Sequence, residues 1–501
     1  MPGSVRQGNR RRDKDSFDSR PLEKKTRQPG RQPEREKQQI ERNAAGNRPK
    51  PQPKDEQSET GPIDLSTTVP IPLQQLLLDV FKTALLPNAV EVNPSGKTQE
   101  GEGATEATPS QLDTKTLIQT IKSHLYQRDF DSAFAEAGEE LLRAYALRWS
   151  AARSLGYAGI FKAVLAWMKT EVDANSRARI KSSSPSPSDA LRSAAGSATR
   201  VVCLGGGAGA EIVALAAAWR DLQDGLDAEG KNSMAALEHG VKKTSLAESD
   251  AKKDEDVIED NNFGQEKTQS VTGQSSTKLS VEAVDIADWT VVMDRLSKTI
   301  ISPDVPAQKT SKYQPPLLST GVSADTEIAV SFHRRDVLVL PESELKDLIL
   351  GTGDQNAVLS SPTSCSSSSS SPPLSTSSLL VTLMFTLNEL FSTSMPKTTG
   401  LLLKITEILP AGAVLLVVDS PGSYSTLKLG KAKDGEVQER QYPMKFLLDH
   451  TLLSVAKGKW ERVLTQDSRW WRRNAARLSY EVGEGAGLED MRYQIHVYRK
   501  L

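Results

Sequence analysis

The chain has 501 residues, with 63 Lys and Arg against 64 Asp and Glu, and a formal net charge of −1. That balance gives no global attraction to nucleic acid or membrane, so any such attraction has to be local. Apolar residues make up 37%, below the share of a fully packed globular chain, so part of the length is expected to lie outside any core.

Residues 1–61 are rich in Arg, Lys, Gln, Pro and Glu, a composition that cannot offset its chain entropy, and a disordered basic tail is expected. It lacks the apolar stretch of a secretory signal. Its clusters Arg10-Arg11-Arg12 and Lys24-Lys25 suit a nuclear address, an RNA-contacting arm or a plain solvated tail. Residues 62–181 read as a helical N-terminal region. Leu73, Leu76, Leu77, Val80, Phe81, Ala84 and Leu85 share one helical face, and Pro87 ends it. Helical spacing resumes from Leu112 through Ile118, Ile121 and Leu125, and again over Phe130–Tyr157 and Ile160–Met168. The set Leu141, Leu142, Tyr145, Trp149 and Leu155, with Arg143, Arg148 and Arg153 on other faces, reads as core and rim. A helix there, just before the first strand, can also wall a pocket.

After a Ser/Pro/Ala linker, residues 198–501 open on the apolar strand Val201-Val202-Cys203-Leu204, then Gly205-Gly206-Gly207-Ala208-Gly209, then an Ala-rich helix from Ile212 to Trp219. In that layout a backbone can approach a nucleotide closely, because side chains are missing where the ligand sits. The string fits two cofactors. Gly205-x-Gly207-x-x-Ala210 matches the dinucleotide fingerprint, and Gly205-x-Gly207-x-Gly209 matches the loop under the methionine moiety of S-adenosylmethionine. Turn chemistry without a ligand is a third reading.

Further strands are expected at Leu279–Asp285, Ile328–Phe332, Leu379–Phe385 and Ala413–Asp419, with helices near Ile286–Leu296, Glu342–Leu350 and Thr398–Leu409. Low-complexity insertions interrupt the domain near 224–278, 302–324 and 352–378. The apolar run at Leu379–Leu387 is far short of the ~20 residues that span a bilayer, so no membrane partner is expected. Tyr442–Leu453 looks helical, and Trp460–Leu464 with Met491–Tyr498 make a closing pair of strands. Cys203 and Cys365 are poorly placed to bridge and lack zinc-site spacing, so a reducing compartment and no metal are expected. The five histidines are scattered and receive no catalytic or metal role.

Five apolar strands alternating with helices mean an α/β fold: a Rossmann-like parallel sheet with helices on both faces and ligands at the strands' carboxyl ends. A dinucleotide enzyme has its ribose-binding acid ~20 residues past the glycines, which here falls in a polar stretch with no strand before it. Asp285, the first acid at a strand end, is the candidate for the cofactor's sugar. Asp336, just beyond the third strand, is placed to accept from an adenine amino group. The closing strand pair suits a methyltransferase better than a second mononucleotide half.

Several strings resemble one family. They are Tyr145-Ala146-Leu147-Arg148-Trp149-Ser150, Leu204-Gly205-Gly206-Gly207-Ala208-Gly209, Val284-Asp285-Ile286-Ala287-Asp288-Trp289, Arg335-Asp336-Val337-Leu338, and above all Met384-Phe385-Thr386-Leu387-Asn388-Glu389-Leu390-Phe391 and Asp419-Ser420-Pro421-Gly422-Ser423-Tyr424. Together they are similar to the fungal large-subunit (25S) rRNA uridine-N3 methyltransferases. The resemblance implies a class I methyltransferase fold, S-adenosylmethionine as cofactor, and a uridine of large-subunit ribosomal RNA, free or in a pre-ribosomal particle, as substrate. A monomer in the nucleus, nucleolus or cytoplasm is the matching expectation. Cys203 stands where an acid often precedes the glycines, which leaves the methionine-amino contact unassigned, with Glu211 a candidate.

Methyl transfer to uridine N3 needs a nucleophile in line and is helped by a base near its weakly acidic proton. Asn388, Glu389 and Asp419 are the candidates to meet the uracil edge. The competing reading makes Asn388 a helix cap and puts Glu389 in that helix's first turn. For RNA contact, Lys457, Lys459, Arg462, Arg469, Trp470, Trp471, Arg472, Arg473 and Arg477 bring cations and aromatics together, although the tryptophans suit a strand core equally well. The alternatives are a methyltransferase acting on a protein or small molecule, and a non-catalytic ribosome-assembly factor. A dehydrogenase ranks last.

Overall fold

Strands that are apolar along their whole length have no face to offer to water, and they pair where helices cover both sides. In the computed structural model the five apolar runs lie in β1 (Ala198–Leu204), β2 (Thr277–Asp285), β3 (Thr326–Arg334), β4 (Ser378–Met384) and β5 (Val414–Asp419). β1, β4 and β5 are buried almost throughout, β3 at the sheet's edge exposes Ala329 and Ser331, and every pairing among the five is parallel. The described residues are 61–86, 112–127, 129–182, 198–225, 277–318, 326–351, 378–422, 424–431 and 437–501. The expected tail up to residue 60, the linker over 183–197 and the insertions over 226–276, 319–325 and 352–377, with Cys365, lie outside them.

Two more strands, β8 (Trp460–Trp471) and β9 (Met491–Lys500), complete a sheet of order β3-β2-β1-β4-β5-β9-β8. β9 runs antiparallel to β5 and to β8, as the closing pair required. The result is the expected Rossmann-like α/β sheet. Side chains alternate across it with the strand period of two. Val201, Cys203 and Val281 enter one core, while Val202, Leu204 and Val381 enter the other.

The first core is covered by α1 (Ile71–Leu85), α2 (Thr114–Gln127), α3 (Glu139–Tyr145), α4 (Ala151–Ser182), α5 (residues 210–225) and α6 (Thr290–Ile300). Residues Ala146–Ser150 carry α3 into α4 as a π-helical turn. Leu73, Phe81, Ile118 and Phe161 from the N-terminal helices pack in the same core as Val201, Val281 and Ile495 from the sheet. The N-terminal helices therefore have no core of their own. The second core lies under α7 (Glu342–Leu350), α8 (Leu387–Thr393), α9 (Met395–Ile408) and α10 (Met444–Asp449). Arg200 of β1 satisfies the end of α7, its Nε and Nη2 donating to the carbonyls of Ile349 and Leu348 at 3.0 and 2.9 Å.

Three features differ from expectation. A hairpin of β6 (Tyr424–Lys431) and β7 (Val437–Pro443) follows β5 in a stretch whose mixed polarity carried no strand signal. The helix expected from Tyr442 starts only after Pro443, which lacks a backbone N–H and stands just before the first turn. The rings of Tyr442 and Phe446 stack at 5.4 Å across this junction, so their four-residue spacing imitates a continuing helix. β8 also runs seven residues past Leu464, to Trp471.

Phe81 on α1 is fully buried in the core that the helices share with the sheet. Phe81→Ala is expected to cost about 3–5 kcal/mol. Denaturant melts followed by far-UV and near-UV circular dichroism should still coincide, because helices and sheet have one core to lose.

Candidate active site

From β1 the chain winds outward to β2 and β3, then returns to lay β4 on the other side of β1. Where the winding reverses, the connections leave in opposite directions and a crevice opens at the carboxyl ends of the strands. A cleft of about 200 Å³ lies there. Gly205 and Ala208 line it from the turn after β1, Asp285 from the end of β2, and Arg335 and Asp336 from beyond β3. Phe385, Thr386 and Glu389 line it from beyond β4, and the N-terminal helical region adds Phe134, Tyr145, Ser150, Arg153 and Tyr157.

The glycine turn is held by β2. Gly205 N–H donates to the carbonyl of Val284 at 2.7 Å. The Asp285 carboxylate accepts from Gly207 N–H at Oδ2 and from Ala287 N–H at Oδ1, both at 3.1 Å. Burial pushes this carboxyl's pKa up, and the two backbone donors offset that only in part. Gly205 and Gly209 sit at φ +85° and +81°, in the left-handed region. A Cβ on Gly205 would stand 2.3 Å from Thr386 Oγ1, one on Gly207 2.1 Å from Trp289 Cδ1, and one on Gly209 2.2 Å from Leu296 Cδ1. Packing inside the protein therefore demands these glycines by itself, whatever ligand the turn also receives. Gly205 faces the cleft, while Gly207 and Gly209 support the turn from behind.

The other expected cofactor residue, Asp336, also lines the cleft, its Oδ1 accepting from Leu338 N–H at 2.9 Å. Glu211, in the first turn of α5, is 3% exposed and accepts from Thr382 Oγ1 at 3.1 Å. Burial raises its pKa to about 8.

The three expected uracil-contacting residues separate. Glu389 lies half-buried at the cleft, and its pKa is raised to about 7 by burial, with Arg153 opposing the rise and Asp419 and Asp285 adding to it. Asp419 is 3% exposed and accepts from Asn388 N–H at 3.0 Å and Ser420 N–H at 2.7 Å. It thus caps the first turn of α8, where Thr386 gives no side-chain cap. Asn388 Oδ1 is buried without a hydrogen-bond partner among the described residues. Glu389 is in the first turn of α8, as the competing reading had it, but the cap comes from Asp419 across the sheet edge and not from the Asn388 side chain.

Sequence reasoning gave Arg153 no site role, and the structure puts it in the cleft wall. Its Nη1 donates to Tyr145 Oη at 2.9 Å and its guanidinium carbon sits 4.8 Å from the centroid of the Phe385 ring. Burial works against this charge, and Tyr145, Tyr157 and Glu389 outweigh it, so the group stays protonated. Phe385, at φ +59°, holds a conformation costly for a residue with a side chain, and its ring stacks on Tyr157 at 6.2 Å. Tyr145 packs edge-on to Phe134 at 5.2 Å and tilted to Trp289 at 5.7 Å. The available signal was an arginine within an aromatic stripe, since Tyr145, Trp149, Arg153 and Tyr157 recur every four residues.

The expected RNA-contacting set is only partly open. Lys459 pairs with Glu407 at 2.7 Å, Arg462 with Asp449 at 3.1 Å and Arg472 with Asp490 at 3.0 Å. Arg469 Nη2 donates to the carbonyl of Leu65 at 2.9 Å. The two tryptophans point to opposite faces of β8. Trp471 packs against the core, whereas Trp470 is 50% exposed with Arg472 over its ring at 4.7 Å.

The side chains suit a ligand that joins an adenosine to a cationic centre. Aromatic rings wall the cleft, and Asp131, Glu211, Asp285, Asp336 and Glu389 outnumber Arg153 and Arg335 in its lining. Even with Glu211 held protonated by burial, this surplus of carboxyls favours a ligand of net positive charge. Among the described residues no group of three or more metal-ligating side chains comes together, and no helix is long and apolar enough to cross a membrane.

Residues 102–499 match the protein family described as "Putative SAM-dependent methyltransferase". The chain is 26% identical over 447 residues to the 25S rRNA (uridine(2843)-N(3))-methyltransferase of Saccharomyces cerevisiae, covering 88% of each. Among solved structures it is similar to a SAM-dependent methyltransferase from Methanosarcina mazei, with TM-score 0.24, 11% identity, and coverage of 63% of this chain and 98% of that one. It is also similar to the N-terminal domain of EvdMO1 with SAH bound, with TM-score 0.22, 12% identity, and coverage of 62% of this chain and 78% of that one. These two scores are too low to add to what the sheet order establishes.

Gly207→Ala would drive a methyl group into Trp289 and Asp285. It is expected to cost on the order of 1–3 kcal/mol of stability with no ligand present, read as a lowered thermal midpoint of the purified protein.

Proposed function

The chain belongs to the SAM-dependent methyltransferase family, and from that premise we propose that it methylates N3 of a uridine in large-subunit ribosomal RNA, free or within a pre-ribosomal particle. When bound, S-adenosylmethionine supplies a methyl group on a sulfonium, ready for a nucleophile held in line. The observation that carries the reading is Glu389, a half-buried carboxyl that lines the cleft from the first turn of α8, its pKa raised to about 7. Uridine N3 bears a weakly acidic proton, and a carboxyl in its ordinary range is too weak a base for it. Raised to neutrality, Glu389 accepts that proton while Gly205, Asp285 and Asp336 border the donor's place. Gly207 and Gly209 hold the turn from behind, and Asn388 and Asp419 fix Glu389 through the start of α8.

The uridine-N3 chemistry named for the yeast relative is of this kind, and that similarity extends over most of the chain. A target base has to leave its stack to enter such a cleft, and Phe134, Tyr145 and Tyr157 offer it an aromatic wall. Exposed Trp470 and the arginines around it form the matching outer contact for a single strand. The protein acts as a monomer where ribosomal RNA is made or assembled, in the nucleus, nucleolus or cytoplasm. A second reading, a methyltransferase of a protein or small molecule, is favoured by the carboxylates that engage Lys459, Arg462 and Arg472.

Nucleoside analysis of large-subunit rRNA from cells lacking the chain should show one 3-methyluridine missing, and an unchanged complement overturns the proposal. With that RNA as substrate the wild-type rate should climb with pH through about 7 and then level, because Glu389 accepts a proton only when ionised. Glu389→Gln should lower the rate by on the order of 10²–10⁴ and abolish the climb.

A further inference from the structure

The donor of this family ends in an α-amino acid, a zwitterion that needs both an anion and a cation from its site. The end of β1 gives no anion: a buried thiol, Cys203, takes the place where an acid often stands. The nearest buried acid is Glu211, which enters the cleft from beneath the glycine turn. A Cβ on Gly206 would stand 2.6 Å from Glu211 Oε2, so this carboxyl oxygen lies directly against the backbone of the glycine turn. Glu211 Oε1 is occupied by Thr382 Oγ1, and among the described residues no lysine or arginine lies within ion-pair distance of Glu211. Arg153 lines the same cleft, bonded to a neutral phenol and stacked on Phe385, also without a carboxylate in ion-pair range among the described residues. A buried carboxyl and a guanidinium thus share one cavity, near enough for Arg153 to pull against the rise in the Glu211 pKa, yet they do not pair.

We propose that Glu211 and Arg153 are the two poles of a zwitterion subsite, Glu211 meeting the ammonium and Arg153 the carboxylate of the donor's methionine end, and that Glu211 gives up a proton on binding. The proton leaves the carboxyl for solvent while the ligand's ammonium keeps its own, so the bound site holds two opposed ion pairs. Low dielectric in the cleft makes each strong once water is displaced. The proposal rests on the family's cofactor and not on the nature of the methyl acceptor.

The groups facing Glu211 fix the direction of the pH effect. They are Cys203 from β1, Asp285 from β2, Thr382 from β4, and Arg153 and Tyr157 from α4. Burial and Asp285 keep the carboxyl protonated below about 8, against the pull of Thr382 and Arg153. A cationic ligand group binds the ionised form, so affinity should rise with pH between about 6 and 7.5, approaching tenfold per unit.

Calorimetry on the full chain tests this with two thioethers, S-adenosylhomocysteine and 5′-deoxy-5′-methylthioadenosine, which share a nucleoside but differ in the amino acid. At pH 7, titrations in buffers of different ionisation enthalpy should show about one proton released with S-adenosylhomocysteine and none with methylthioadenosine. Glu211→Gln and Arg153→Met should each weaken S-adenosylhomocysteine on the order of ten- to hundredfold and leave methylthioadenosine within about twofold. Glu211→Gln should also abolish the proton release. Equal weakening of both thioethers by Glu211→Gln would mean that the residue only props the turn, and would overturn the assignment. So would wild-type binding of S-adenosylhomocysteine without proton release, a result that needs no variant to fold. Failure of the wild type to bind either thioether would remove the cofactor itself, a different result from loss of this subsite alone.

Discussion

The Asp285 carboxylate holds the glycine turn in place. Gly207 N–H reaches it from the turn after β1 and Ala287 N–H from the turn after β2, so two segments far apart in sequence converge on one side chain. A charge-assisted bond to a buried carboxylate is among the stronger polar contacts, about 1.5–3 kcal/mol each. With the turn fixed, Trp289 at the N-cap of α6 and Leu296 within α6 close over Gly207 and Gly209, and Thr386 before α8 closes over Gly205, so two neighbouring elements take their position from it. An ionised carboxylate has roughly four acceptor sites, and two backbone donors leave capacity for a ligand's hydroxyl groups. The same residue can therefore build the turn and serve what binds there.

The N-terminal helices belong to this arrangement and are not an appendage to it. They have no separate core, and their aromatic stripe is one wall of the cleft. Arg153 is the clearest case. On an isolated helix it would be a solvated cation; against Phe385 and Tyr145 it is a charge fixed beside Glu389 and Glu211. The tuning of both acids thus depends on a helix that precedes the sheet. The strained backbone at Phe385 fits the same logic, since its ring is pinned between that helix and the end of β4.

The strands were readable because residues such as Val414–Val418 admit no other environment than a sheet covered on both faces. α7 spans the residues expected of it, and Gly351 at φ +77° closes it. The β6–β7 hairpin was not readable, because its polar and apolar residues follow no clean period of two. At the site, position along a strand located Gly205, Asp285, Asp336 and Glu389, all at carboxyl ends. It could not say which way a carboxyl turns there. Asp419 ends β5 as Asp285 ends β2, yet it serves the start of α8 and does not line the cleft. Arg153 and its aromatic neighbours were hidden for another reason: nothing local marks a helical stripe as facing a cavity that a later sheet will form.

The chain has seven tryptophans, and only Trp289 lines the cleft. Its indole is 1% exposed, braced by Tyr145 at 5.7 Å and Phe134 at 6.4 Å. An emitter braced in this way beside the pocket senses the polarity and charge of whatever arrives there, while Trp470 alone among the other six stands exposed on the outer face. The protein thus carries its own optical gauge of occupancy, and light emitted by one indole can time the entry and departure of ligands without any added label.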